Sequence, residues 1–123
     1  GPMEVREATV EELPTVMTVF DGAMLATGAD AVRAAIDRGE LLVAAAEGRV
    51  LGACLLAGEE IEVVAVRRAR RDQGIGRALV EAAADRRERL VAEFDPRVRP
   101  FWASLGFDIE PAAEPERYRG TRE

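Results

Sequence analysis

The chain contains no histidine and no lysine, and it has one cysteine, one tryptophan and one tyrosine. Without histidine, imidazole acid–base chemistry is excluded, and a zinc site would need carboxylates alone. Without lysine, a P-loop is excluded, because that motif needs its lysine on the β- and γ-phosphates. The lone Cys54 cannot close a disulfide within the chain, and a reducing, cytoplasmic setting is expected. No apolar run reaches the length of a membrane span, and the N-terminus lacks the charged and apolar regions of a signal peptide, so no membrane partner is expected. Aromatic residues make up only 5% of the chain, which leaves Val, Leu, Ala and Ile to build the interior. A formal net charge of −6 argues against nucleic acid as a partner at the level of the whole molecule.

What is present suits one α/β domain over residues 3–123, with Gly1 and Pro2 read as a cleavage scar before a natural Met3. "MEVREAT" reads as a first strand. Thr9 and Glu12 have the spacing of a capping box, and Leu13, Val16, Met17, Phe20 and Met24 follow at helical spacing. A second helix is expected from Asp30, as its N-cap, to Arg38, with Gly39 as its stop. Two apolar runs broken at Glu47-Gly48-Arg49 predict a β-hairpin with both strands buried. "IEVVAVR" is the next strand, and strict alternation would put Glu60, Glu62, Val64 and Val66 on one face. A seven-residue loop then leads to a helix near Gly74 with Ile75, Ala78, Leu79, Ala82 and Ala83 as its buried stripe. "RLVAEF", a short helix across "RPFWASL", a stop at Gly106 and a last strand from Phe107 complete a mixed sheet flanked by helices.

The unusual feature is a run of four arginines, Arg67, Arg68, Arg70 and Arg71, placed just before "DQGIG" on an acidic chain. A helix N-terminus has unpaired backbone N–H groups and the positive end of the peptide dipoles, so it is a natural seat for phosphate. Glycines at 74 and 76 allow an anion to approach the backbone without Cβ atoms in the way. The amides from Gln73 through Ala78 are therefore expected to face a diphosphate, with Arg71 and Arg77 adding charge. A Rossmann-like nucleotide site is a minor alternative: Asp95 imitates its ribose-binding acid, but the loop is long and Leu79 stands where a third glycine belongs. The bland alternative is a solvated arginine loop.

These residues resemble the GNAT-type N-acetyltransferases. The resemblance is carried by "VVAV" followed by "RDQGIG", and by "FWASLGF" at residues 101–107, in the right order and separated by one helix and one strand. It implies the GNAT acyl-CoA N-acyltransferase fold, with a central mixed sheet. It also implies acetyl-CoA as cofactor, held by the main chain of Val64, Ala65 and Val66 along the pantetheine arm. Arg71, Asp72, Gln73, Gly74, Ile75, Gly76, Arg77 and Ala78 would surround the pyrophosphate. Asp95 would take the pantetheine amide, and Phe101 would lie beside the cofactor. The acceptor would be a small-molecule amine or a protein amino group attacking the thioester directly, and a homodimer is allowed. A non-catalytic acyl-CoA-binding sensor or interaction domain is the alternative from another class.

An ammonium acceptor must lose a proton before it attacks, so a carboxylate near the thioester is useful. By the resemblance, Glu60 and Glu62 occupy positions where relatives carry that base; otherwise they are solvated strand acids. Many relatives have a tyrosine after the first Phe of the second motif to protonate the leaving thiolate, and here Trp102 stands there. Tyr118 is the one phenol that could replace it, or else a surface anchor. Cys54 reads as a buried structural thiol.

Overall fold

The two apolar runs form the second and third strands of a seven-stranded sheet, and each is covered by helices on both faces. The computed structural model describes residues 2–22 and 27–123. The strands are β1 (Glu4–Glu7), β2 (Leu41–Ala46), β3 (Arg49–Ala57), β4 (Glu60–Val66), β5 (Leu90–Phe94), β6 (Asp108–Pro111) and β7 (Tyr118–Arg122). The helices are α1 (Leu13–Gly22), α2 (Ala29–Arg38), α3 (Ile75–Arg86) and α4 (Arg99–Ser104). Sheet order is β1-β2-β3-β4-β5-β7-β6, antiparallel throughout except between β4 and β5. A doubly wound parallel sheet is not formed, and the Rossmann alternative falls with it.

In β2, Leu41 and Val43 join a core with Val16, Phe20, Val32 and Ile36 of α1 and α2. Leu42 and Ala44 point the other way and join a core with Leu79, Val80 and Ala83 of α3. Burial on both faces removes the usual polar alternation, so the strand reads as an unbroken apolar run. The expected turns are present: Glu47 and Gly48 both have positive φ in the β2–β3 hairpin, and Gly39 ends α2 in the left-handed region. At the N-terminus the Glu12 carboxylate accepts the Thr9 N–H at 2.9 Å and both Arg6 Nη groups at 2.9 and 2.7 Å, which ties β1 to the start of α1.

Several expectations need correction. The cap of α2 lies two residues before Asp30: Gly28 is the cap residue, its carbonyl accepts the Val32 N–H at 3.2 Å, and Asp30 lies in the first turn. In α3, Val80 is fully buried, while Ala78 and Ala82 are only half-buried, so the apolar stripe leans toward β2 and β3. A strand was missed after Phe107. "YRGTR" lacks apolar alternation, yet as β7 it inserts between β5 and β6, closed by an Ala112 N–H to Arg117 O bond of 2.9 Å. Met24 of the expected α1 stripe lies outside the described residues.

The shared face expected for Glu60, Glu62, Val64 and Val66 is broken by a β-bulge. Leu55 pairs with Val63 and Leu56 with Ile61, which leaves Glu62 without a partner on β3. An extra residue reverses the alternation. Ile61 therefore shares the α3 face with Val64 and Val66, while Val63 and Ala65 face α1 and α2.

Candidate functional site

Strands β4 and β5 are paired only at Glu60↔Val91 and Ile61↔Ala92, with one more bond from the Val91 N–H to Glu59 O at 2.9 Å. Beyond Ile61 they part: β4 continues along β3 and β5 continues along β7. The split opens a groove of about 960 Å³. One wall is Ile61 to Val66 of β4, the other is Glu93, Phe94 and Asp95 at the end of β5, and the start of α3 and the aromatic side of α4 complete the lining. The β4 main chain on this side has no strand beside it, so its polar groups, apart from Val66 O, which accepts Arg71 Nε at 3.3 Å, are open to an extended ligand.

The start of α3 is prepared for an anion. Gly74 holds φ 80°, a left-handed conformation that a side chain would strain, and no side chain caps the helix. The first intrahelical bond is from the Ala78 N–H to Gly74 O at 3.0 Å. The amides of Ile75, Gly76 and Arg77 are thus the orphans of the first turn. This corrects one expectation: the Ala78 amide is already engaged, and the cradle ends at Arg77. Gly76 is needed for a different reason. Its φ is ordinary, but a Cβ there would lie 3.3 Å from Phe101 Cε1, so a side chain would press on the ring that α4 sets against the turn.

The arginine run divides in two. Arg67 is a strut, its Nε donating to Val50 O at 2.6 Å. Arg70 and Arg71 border the groove; Arg70 Nε donates to Gln73 Oε1 at 3.0 Å and Arg71 Nε to Val66 O at 3.3 Å, which leaves their Nη groups available. Arg77 also borders it and bonds Ser104 O and Oγ at 3.2 and 3.3 Å, linking α3 to α4. Local positive charge is therefore concentrated at this end of an acidic molecule.

The expected residues divide similarly. Val64, Ala65, Val66, Arg71, Asp72, Gly74, Ile75, Gly76, Arg77, Asp95 and Phe101 all line the groove, whereas Gln73 and Ala78 do not. One Asp95 oxygen accepts the Arg97 N–H at 2.8 Å, which fixes the turn after β5. Glu62, the bulge residue, borders the groove and has no hydrogen-bond or ionic partner among the described residues. Glu60 is exposed on the paired side of the split and lies outside the lining. Tyr118 also lies outside, in β7, with the Arg99 guanidinium 5.0 Å above its ring. Glu93 and Arg117 border the groove and were not foreseen, because Arg117 is carried by the unpredicted turn into β7. Cys54 is buried away from it, its thiol pushed up to about 12 by desolvation. Among the described residues no cluster could hold a metal ion, and no helix is long and apolar enough to cross a membrane. A smaller cavity of about 160 Å³ lies beside Arg6 and Glu12, which already satisfy one another.

Comparison with known proteins bears on the same groove. A family profile described as "Acetyltransferase (GNAT) domain" matches residues 37–109, which include β2 to β5, α3 and α4. No curated protein matches the chain. Among solved structures, the chain resembles the PaiA N-acetyltransferase of Thermoplasma acidophilum in complex with coenzyme A: TM-score 0.84, 14% identity, covering 100% of this chain and 99% of that one. It resembles Ard1 of Thermoplasma volcanium with TM-score 0.82 and 18% identity, covering 98% and 96%. It also resembles the N-acetylglutamate synthase of Neisseria gonorrhoeae complexed with coenzyme A and N-acetyl-glutamate, with TM-score 0.82 and 17% identity, covering 99% of this chain but 35% of the other. At these identities the likeness is one of fold.

Proposed function

Because the chain belongs to the acetyltransferase (GNAT) family, we propose that it moves an acetyl group from acetyl-CoA to a primary amine, carried by a small molecule or a protein. The observation that carries this reading is the continuity of the groove: the unpaired edge of β4 runs directly into the uncapped first turn of α3. An extended amide-bearing arm ending in a diphosphate needs those two features end to end, and two of the solved structures of this fold are coenzyme A complexes.

In this reading the main chain of Val64, Ala65 and Val66 binds the pantetheine arm as an added strand. The Ile75, Gly76 and Arg77 amides, with Arg70 and Arg71, hold the diphosphate. Acetyl-CoA supplies an activated acyl carbon, and the amine attacks it directly, forming a C–N bond as the C–S bond breaks. Glu62 takes the proton of the acceptor ammonium, directly or through water. Glu60 and Tyr118 have no direct part, since neither borders the groove. Asp95 accepts from the pantetheine amide with its remaining oxygen.

The test is a thermal-shift and calorimetric comparison of acetyl-CoA, CoA and NAD, followed by thiol release from acetyl-CoA with a panel of amines. Stabilisation by both CoA compounds but not by NAD, and acceptor-dependent thiol release, are expected. Binding with no acceptor-dependent release would make the protein an acyl-CoA sensor, and absence of binding would remove the whole assignment.

A further inference from the structure

Among the described residues, the interior contains one residue with a side-chain nitrogen or oxygen, Trp102; every other buried residue is aliphatic, glycine, phenylalanine or cysteine. The indole is held on three sides. It stacks on Phe94 at 5.4 Å and 16°, and it meets Phe101 and Phe107 edge-on at 5.1 and 5.0 Å. At 6% exposure its Nε1–H has no acceptor in the protein, yet no side-chain nitrogen sealed from solvent lacks a partner. The indole nitrogen therefore keeps contact with open space, and the open space that Trp102 borders is the groove. A rigid donor left unanswered in an apolar wall is unfavourable by itself and becomes favourable when a ligand supplies the acceptor.

We infer that the Trp102 Nε1–H donates a hydrogen bond to the sulfur of the thiol product, holding it as a thiolate without protonating it. This rests on the acyl-transfer reading. The departing sulfur carries the electron pair of the broken C–S bond, and among the aliphatic and aromatic residues of the lining the indole N–H is the one side-chain donor. The arginines of the lining do not release protons. Ser104 Oγ already donates to Phe101 O at 2.7 Å, Tyr118 lies outside and Cys54 is buried. The ammonium gives one proton to Glu62 or water before attack, the nitrogen gives a second to water as the amide forms, and the thiolate takes its proton from solvent afterwards. Indole keeps its own proton throughout.

The single tryptophan makes the test direct, because the labelled protein shows one indole N–H resonance. Wild-type protein is titrated at about pH 9 with CoA and with a desulfo analogue of CoA. The indole proton should move downfield with CoA, more so as the thiol ionises, and stay nearly still with the bound analogue. In parallel, thiolate absorbance gives the ionisation of bound CoA in wild type and in Trp102→Phe, which retains the aromatic contacts. The bound thiol should ionise about one pH unit higher in the variant, roughly tenfold less thiolate at fixed pH. Equal indole shifts with the two ligands, or equal thiol ionisation in the two proteins, overturn the inference while leaving CoA binding intact. If the variant does not fold, the wild-type comparison decides. If neither ligand binds, the acyl-transfer reading fails and the inference with it.

Discussion

Two alanine substitutions separate backbone strain from its use in binding. Gly74 at the start of α3 has φ 80° and Gly48 in the β2–β3 turn has φ 74°, and a Cβ built on either meets no atom within 4 Å. In both places the intrinsic cost is that of an L-residue in the left-handed region, about 1–2 kcal/mol. In G48A the turn is clamped between paired strands, so the strain stays in the folded protein. For 123 residues it should lower Tm by about 4–8 °C, with CoA affinity unchanged. In G74A the preceding residues 71–73 are exposed, so the loop can relax and part of the strain disappears from the free protein. A ligand that needs the Ile75–Arg77 amides must restore the turn, and the missing part of the strain reappears in binding as up to about 5- to 30-fold weaker CoA affinity. Scanning calorimetry and isothermal titration measure the two parts, which should sum to about the G48A penalty. A G74A protein that melts near wild type and still binds CoA with full affinity would show that nothing seated in the groove uses that turn. Weakened CoA binding in G48A would equally refute the reasoning.

The remaining predictions concern the carboxylates and the thiol. Glu62→Gln should lower acceptor-dependent thiol release by about a hundredfold, whereas Glu60→Gln should leave it within about threefold; the reverse pattern in steady-state kinetics would move the base to Glu60. Glu12 is held down to about 2, first by its hydrogen bonds to Arg6. Its folded state is thus the more acidic one, so it stabilises the protein above the ordinary glutamate range, and the effect is lost as pH falls from about 4.5 toward 2. With solvent screening of the pair, about 1–2 kcal/mol is expected. The Tm gap between wild type and Glu12→Gln should therefore be constant above pH 5 and vanish near pH 2. Cys54, buried with its thiol near 12, should react with a disulfide reagent at least about a hundredfold faster in denaturant than in the native protein.

The parts of this fold that depend on local chemistry were readable. Two-sided burial wrote β2 and β3 as unbroken apolar runs, Glu47-Gly48 marked the hairpin, and the glycines at 74 and 76 marked the open helix end. The parts that depend on pairing between distant strands were not. Glu62 enters the groove because Leu55 and Leu56 pair with Val63 and Ile61, a register that neither strand contains alone. β7 escaped notice because its buried contact is Gly120, packed under Phe94 and Phe107, which gives no hydrophobic signal in "YRGTR". Arg117 and Glu93 stayed hidden with it. The "FWASLGF" stretch carried the family resemblance, but the setting of Trp102 depends on Phe94 of β5 as well as on Phe101 and Phe107 of the stretch itself.

Two residue pairs and a single extra amide are a thin backbone junction between a four-stranded and a three-stranded half. Five of the chain's six aromatic side chains, Phe94, Phe101, Trp102, Phe107 and Tyr118, gather beside that junction, and Phe20 is the sixth. Three of these rings, Phe94, Phe101 and Trp102, also border the cleft, so the side chains that line it are part of the mortar between the two plates of the sheet. A ring lost there loosens the masonry as well as reshaping the cleft.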